Sequence, residues 1–481
     1  MNAFASAGST IQVASSARGP FRTRTLLPNE IVCDTYRLDA GDPNPMNPTA
    51  TRRRAALHTL GCRLNQSETQ ALAEQLTAQG YDLVPFGEDA DLGIINTCTV
   101  THEADAKSRQ MIRGFIRRNP NAYTAVVGCY AQMGHAALRT IPGIDLIVGN
   151  QEKMNLLHYV AEGKNDAPIV VRDRIVRDDF TLDFPEEQAI RRRANLKVQD
   201  GCDFMCSFCI IPFARGRARS RALPNVLDEA RSLVARGARE LVLTGVNIGT
   251  YGWNDRDILA VVDALDGIEG LDRIRISSIE PTTIPEALFE RMADPAHALV
   301  PYLHIPLQSG SDAVLSRMKR RYTRAEFEGF IAKAAAAVPD LGIGTDVLVG
   351  MPGETDADFE ETCAVLTDGP IAYAHVFKYS EREGTPAVKY PDKVPADTMQ
   401  RRSARVRAIS ERKRQVFARA RVGQEVEVLF EHAEQGFWSG YTGNYIRVAA
   451  RSNEDLTNRL ATVRVAEVIG DIAYGELTDA C

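Results

Sequence analysis

Several features are scarce in this chain. No apolar run approaches the 18 or so residues that a membrane-spanning helix needs. Positive charge is not in excess: 57 Lys and Arg face 63 Asp and Glu, a formal net charge of -6. A global polycation is excluded, so any nucleic-acid contact must come from local basic patches. Cysteines are few, odd in number and scattered, nine in 481 residues. That argues against a secreted disulfide scaffold and makes a reducing cytoplasm the expected compartment. The first 29 residues contain no acidic side chain and little periodicity. Their Ser-, Ala- and Arg-rich composition superficially resembles an organelle transit peptide. The plainer reading is a disordered leader over residues 1–54, or translation from Met46 rather than Met1, with Cys33 a bystander. The remaining length allows about three domains.

Three of the cysteines stand together in CDFMCSFC, at Cys202, Cys206 and Cys209. The spacing C-x3-C-x2-C is too tight for a disulfide framework and one ligand short of a closed zinc site. Three thiolates on a four-iron cluster leave one iron open to a small molecule. The alternatives are a chance grouping or a zinc site.

Three more cysteines converge by topology. Over 55–165, AALHTL, LGIINT, YTAVVG and DLIVGN read as buried parallel strands, and NQSETQALAEQLTAQG as a helix capped at Gly80. Cys62, Cys98 and Cys129 each lie where a strand gives way to a loop and helix. In an open parallel sheet those positions share one edge, the edge where ligands bind. A lone cysteine there would be a small buried hydrophobe; three at equivalent strand ends suit a second cluster.

Residues 166–190 read as a charged linker. Across 191–415, ANLKVQ, ELVLTG, RIRISS, YLHIPL, IGTDVLVG and YAHVFKYS alternate with helical stretches. Six such units predict a partial (β/α) barrel with its chemistry at the carboxyl ends of the strands. Polar residues gather at those ends: Thr244, Asn247, Ser277, Ser278, Glu280, Gln308, Ser309, Asp346 and Ser380. The basic stretch 401–421 is either a docked connecting helix or an RNA contact. Residues 416–481 carry five short strands, the pattern of a small OB-like barrel. Its Phe437, Trp438, Tyr441 and Tyr445 either stack on bases or fill its core. The expected class is α/β: an open parallel sheet, a partial barrel and a small β-barrel.

With these motifs in order, the chain resembles the methylthiotransferase family of radical S-adenosylmethionine (SAM) enzymes. TLGCRLNQSET, INTCTVTHEADAKSRQ, VVGCYAQ, DGCDFMCSFCIIPFARGRARSR, LTGVNIGTYG, HIPLQSGS, VGMPGET and SEREGTPA carry the resemblance, which covers residues 55–481. Among the family's branches it is most similar to the one acting on threonylcarbamoyladenosine in tRNA. The branch that modifies a ribosomal-protein aspartate usually has Pro where this chain has Arg63, and the isopentenyladenosine branch typically reads NTCS.

The resemblance implies two 4Fe-4S clusters, SAM, a tRNA anticodon loop, an electron donor such as flavodoxin or ferredoxin, and a sulfur donor. It implies that Cys202, Cys206 and Cys209 hold the cluster that cleaves SAM, and that Cys62, Cys98 and Cys129 hold a second cluster that delivers sulfur. It places Phe208 beside the SAM adenine and Gly245 near the methionyl amino group. Glu280, Gln308 and Asp346 are further expected SAM contacts. RGRARSR (215–221) and RMKRRYTR (317–324) are expected to clamp RNA phosphates.

Overall fold

The computed structural model describes residues 52–160, 163–183 and 193–478. The expected leader therefore lies outside the described residues except at 52–54, as do Cys33, Met46 and Cys481.

The first layer is a six-stranded parallel sheet, ordered β2-β1-β3-β4-β5-β6. Its strands are β1 (Arg54–Thr59), β2 (Asp82–Val84), β3 (Leu92–Thr97), β4 (Tyr123–Gly128), β5 (Leu146–Val148) and β6 (Ile169–Val171). The two central strands β3 and β4 are buried at every position, which is why their sequences read as unbroken apolar runs. Two edge strands escape the periodicity argument. β2 is three residues long, and β6 comes from the stretch expected to be a linker. The linker reading is corrected there: Ile169, Val170 and Val171 pair with β5 and complete the sheet. Helix α1 (Arg63–Ala78) follows β1, and α2 (His102–Arg118) follows β3 with Thr101 capping its first turn. The five-residue α3 (Cys129–Met133) starts directly at the end of β4.

The central unit holds the six expected strands: β7 (Ala194–Lys197), β10 (Glu240–Thr244), β11 (Arg273–Ile276), β12 (Tyr302–His304), β13 (Gly342–Val349) and β14 (Tyr373–Lys378). They hydrogen-bond as two parallel triplets, β11-β10-β7 and β12-β13-β14. The triplets meet through Ile274, whose backbone pairs with Ala298 and Val300. β8 (Gln199–Asp200) and β9 (Arg219–Ser220) make a small ribbon beside the cysteine loop. Leu196, Leu243, Ile276, Ile305, Val347 and Val376 lie in one continuous apolar core with the surrounding helices.

β7 and β14 are free edges of this partial barrel, and the first domain bridges them. Helix α1 lies along β7 and β10. The start of α2 docks on the end of β14: the His102 amide donates to Ser380 Oγ at 3.0 Å, and Arg382 donates to Asp105 Oδ2 at 2.7 Å and to Thr99 Oγ1 at 2.8 Å. Ser380, expected on the rim of a pocket, is thus an interdomain cap.

The last domain is a closed five-stranded barrel ordered β15-β16-β17-β19-β18. Its strands are β15 (Glu425–Glu434), β16 (Phe437–Thr442), β17 (Arg447–Ala450), β18 (Leu460–Ile469) and β19 (Ile472–Leu477). The basic helix Ala396–Arg419 leads into it and packs along β14. Several of its arginines are already paired: Arg402 with Glu354 and Asp356, Arg405 with Glu360. Among the described residues, no helix is long and apolar enough to cross a membrane.

Candidate functional site

Local chain geometry explains why glycine precedes two of the first domain's cysteines. Gly61 has φ +106°, and a Cβ there would sit 2.9 Å from Cys98 Cβ and 3.2 Å from its sulfur. Gly128 has φ +95°, and its Cβ would lie 2.3 Å from Asn96 Oδ1. Only glycine takes these turns while letting the loops touch. Asn65 stitches the first loop to the second, donating to Leu60 O at 2.7 Å and Thr97 O at 3.1 Å. Cys62, Cys98 and Cys129 are brought together at the carboxyl edge of the sheet, close enough to perturb one another's ionisation. Burial pushes the Cys98 thiol to about 12, whereas Cys62 stays exposed at the loop surface. Asn150 Nδ2 approaches Cys129 Sγ at 3.5 Å and donates to Ala214 O at 2.7 Å. That bond reaches from the first trio to the chain just after the second.

The second trio lies on the loop between β8 and β9. Cys202 N donates to Gly216 O at 3.1 Å, and Ser207 N donates to Met318 O at 3.0 Å. Burial raises Cys202 to about 11 and Cys209 to about 12. Arg320, with its side chain 2% exposed, donates to Cys206 Sγ at 3.2 Å and pairs with Glu280. The Arg320 guanidinium also lies over the Tyr322 ring, 4.9 Å from its centroid.

Between the trios runs a seam of buried ions. Glu68 on α1 accepts from Lys197 Nζ at 2.8 Å, from Arg215 at 3.0 Å on each oxygen, and from Lys153. Asp200 accepts from Lys197 at 2.8 Å and Arg215 at 3.0 Å. None of these five side chains is more than 5% exposed. Arg215 holds Glu68 well below the ordinary carboxylate range, helped by Lys153 and Lys197 and against burial, the largest influence, which pushes upward.

The architecture has counterparts. Residues 54–149 match a family model described as an uncharacterized protein family, UPF0004, and residues 196–366 match that of the radical SAM superfamily. The threonylcarbamoyladenosine tRNA methylthiotransferase MtaB of Bacillus subtilis is 39% identical over 424 residues, 85% of this chain and 93% of its own length. The chain belongs to the methylthiotransferase family of radical SAM proteins. A tRNA-2-methylthio-N(6)-dimethylallyladenosine synthase of Cereibacter sphaeroides is 36% identical, over 79% of this chain and 88% of its own length. Among solved structures, the radical SAM methyltransferase TsrM of Kitasatospora setae superposes with TM-score 0.51 at 17% identity, over 68% of this chain and 75% of its own; that likeness concerns the fold alone.

As a radical SAM protein, this methylthiotransferase takes a 4Fe-4S cluster and SAM. Its donor set fits such groups. Among the described residues, the group of three ligand side chains whose atoms all lie within 4.8 Å of one another is His304, Asp346 and His375. A tetrahedral zinc ion with bonds of about 2.3 Å would draw thiolate sulfurs to about 3.8 Å. Neither cysteine trio forms such a group, so in each at least one pair of sulfurs lies more than 4.8 Å apart.

The expected SAM contacts fare unevenly. Phe208 beside Cys209 packs against the Val314, Met318 and Met351 cluster. Gly245 is small because Gln199 lies beneath it: a Cβ would meet Gln199 Oε1 at 2.8 Å, and that oxygen accepts from the amides of Val246 and Asn247. Glu280 is committed to Arg320. Gln308 takes φ +65° and bridges β13 through backbone bonds to Asp346 and Leu348. Asp346 is paired with His304 Nε2 at 3.0 Å and His375 Nδ1 at 3.4 Å, and these histidines hold its carboxyl below the usual range against the upward push of burial. Unspent groups do occur on the rim. Thr244 Oγ1, Asn247 Nδ2 and Tyr379 OH are buried without a hydrogen-bond partner among the described residues.

The expected phosphate clamps need correction. Arg215 and Arg221 are fully buried and Arg219 nearly so; Arg215 pairs with Glu68 and Asp200, Arg219 with Asp200, and Arg221 with Glu229. They are structural ions, because the chain after the cysteine loop dives into the interdomain seam. Arg217 remains half-exposed. In the other run Arg317, Lys319 and Arg321 are exposed, whereas Arg320 is spent on Cys206 and Glu280.

Tyr441 and Tyr445 are neither base platforms nor core of their own barrel. The turn between β16 and β17 enters the amino end of the central barrel. Arg275 donates to Gly443 O at 2.7 Å and Thr442 O at 3.1 Å, and Arg273 donates to Tyr441 O at 3.0 Å. Tyr445 meets Tyr302 at 4.9 Å between centroids and accepts from Arg63 Nη2 at 2.6 Å. Phe437 and Trp438 stay half-buried on the barrel wall. Sequence reading missed Glu68, Lys153, Lys197, Asp200 and Arg320. Lys197, which ends the strand ANLK, and Asp200, two residues before Cys202, carry a local signal; Glu68 and Lys153 carry none, and Arg320 is hidden in the basic run 317–324.

Proposed function

We propose that this methylthiotransferase converts N6-threonylcarbamoyladenosine beside a tRNA anticodon into its 2-methylthio derivative. The observation that carries the reading is the meeting of two thiol trios across one buried seam, one on the sheet edge and one on the barrel loop. Cys202, Cys206 and Cys209 would hold the SAM-cleaving cluster, and Cys62, Cys98 and Cys129 a second one. When bound, such groups supply a carbon-centred radical and a methylated sulfur, chemistry no side chain provides for an aromatic C–H bond.

The chain's own residues have other duties. Arg320 donates to one ligand sulfur and is oriented by Glu280 and Tyr322. Asn65, Asn150 and Arg215 fix the two loops relative to each other. Thr244, Asn247 and Tyr379 offer unspent polar groups where SAM would lie, joined by Phe208, Gly245 and Gln308. Arg217, Arg317, Lys319 and Arg321 face solvent as phosphate contacts. The domains are read as 55–165, 191–415 and 416–481, the last an OB-like RNA-binding barrel of the TRAM type. A cytoplasmic setting, a flavodoxin- or ferredoxin-like electron donor and a separate sulfur donor complete the scheme.

Greater identity and span favour the threonylcarbamoyl substrate over the dimethylallyl one, by a narrow margin. Nucleoside mass spectrometry of tRNA from a deletion strain tests this. Loss of 2-methylthio-N6-threonylcarbamoyladenosine is expected. Loss of the isopentenyl analogue instead would move the chain to the other tRNA branch; unchanged tRNA with an unmodified ribosomal-protein aspartate would move it to the third.

A further inference from the structure

The two thiol trios sit in different electrostatic surroundings. Around Cys202, Cys206 and Cys209 the charges that act on the sulfurs are Arg320 and Glu280, one of each sign and paired with each other. Behind Cys62 and Cys129 the balance is unequal. Among the described residues, Lys153, Lys197, Arg215 and Arg219 face only Glu68 and Asp200, with every partner drawn from this set apart from neutral amides and the Phe180 ring. Four cations against two carboxylates leave an excess of two positive charges, buried. Burial draws the Lys153 ammonium down from its usual range, and its ion pair with Glu68 holds the charge against that pull.

A buried cation without a counter-ion is expensive, so the neighbouring site must supply negative charge. Arg215 acts on Cys62, Cys98 and Cys129, and Lys153 on Cys129. Thiolates bound to iron are that counter-charge. An added electron is stabilised by the same field, which falls off slowly in a water-poor interior. Net charge around a cluster is one of the quantities that set its potential.

We propose that the two sites are poised in order: the site on Cys62, Cys98 and Cys129 accepts an electron at higher potential than the site on Cys202, Cys206 and Cys209, because of the unbalanced cations at the seam. This rests on the reading that both trios hold clusters. Lys153 and Arg215 are positioning residues here, acting through the field and touching no substrate.

The test is a potentiometric dithionite titration of the anaerobically reconstituted full chain, without SAM, followed by electron paramagnetic resonance. Variants with either trio replaced by Ala assign the two signals. The first signal to be reduced should be the one lost with Cys62, Cys98 and Cys129. Lys153→Met should then move that midpoint negative by about 59 mV, a tenfold change for one electron, and leave the other in place. Arg320→Met should do the reverse. If the Cys202 site is reduced first in the unaltered protein, the proposal is overturned whatever the variants do. If Lys153→Met moves both midpoints equally or neither, the assigned cause is wrong. A chain that binds about four irons rather than about eight sinks the two-cluster reading itself, a result distinct from a wrong order.

Discussion

Glu68→Gln is the sharpest perturbation of the seam, since it removes one charge and almost no volume. Glu68 accepts from three cations on both sides of the interface, through Lys153, Lys197 and Arg215. The amide keeps one acceptor but turns an NH2 toward those cations; Lys197 and Arg215 are left with Asp200 as their charged partner, and Lys153 with the Asn150 amide alone among the described residues. Removing one member of a buried ion pair costs about 3–5 kcal/mol, or about 10²–10⁴ in the equilibrium for opening the seam. Hydrogen exchange read by mass spectrometry should show helix α1 and residues 194–200 exchanging faster by that order. Helix Ile258–Asp266, in the core on the barrel's outer side, should be unchanged. The pH dependence has a definite sign. Glu68's folded carboxyl titrates well below the 4.5 usual for glutamate. Its stabilising contribution is therefore complete above about pH 4.5 and is lost only as pH falls through the depressed folded value. The unaltered seam should loosen in strong acid, and that acid limb should shrink in Glu68→Gln to the part owed to Asp200, whose carboxyl is also held low by Lys197 and Arg215 against burial. Equal exchange of α1 in both proteins at pH 7 would refute the reasoning.

Replacing Cys62, Cys98 and Cys129 by Ala should remove about four irons and abolish methylthiolation while SAM is still cleaved to 5′-deoxyadenosine, measured by chromatography. Asp346→Asn should leave SAM affinity within about threefold by equilibrium dialysis, since its carboxylate is committed to His304 and His375; a loss of tenfold or more would restore Asp346 as a SAM contact. Arg321→Ala should weaken tRNA binding and reduce the slope of log affinity against log salt by about one, in filter-binding series. Tyr445 is drawn down to about 8, by Arg63, Arg193 and Arg275 working against burial. An ultraviolet titration should show a phenolate forming near there, and it should disappear in Tyr445→Phe. Because that folded value is depressed, ionised Tyr445 adds firmness to the interface only as pH rises from 8 toward 10.

Much of the fold was written in the chain's periodicity. The apolar runs at 92–97 and 123–128 are central parallel strands, and six strand–helix units do form the partial barrel. The cysteine positions could be placed because strand ends in a parallel sheet share an edge. What escaped depends on contacts distant in sequence. Ile169–Val171 looks like part of a charged linker because one edge strand of three residues carries no period. Arg215, Arg219 and Arg221 look like solvated basic residues because nothing local announces that Glu68, 147 positions from Arg215, waits in the interior. Asp346 looks like a free carboxylate until two strands bring histidines to it. Tyr445 reads as an aromatic of its own small barrel, although its partners are Arg63 and Tyr302.

The turn around Asn444 has a further consequence. A Cβ on Gly342, the first residue of β13, would lie 2.3 Å from Asn444 O, so the carboxyl-terminal domain acts as a stopper seated in the base of the chamber. Through Arg63, the neighbour of Cys62, the same stopper holds the first domain. On the proposed reading of this barrel as an RNA-binding module, grip and seal would be tasks of one component, and a truncation meant to weaken only the grip would also let water in from below.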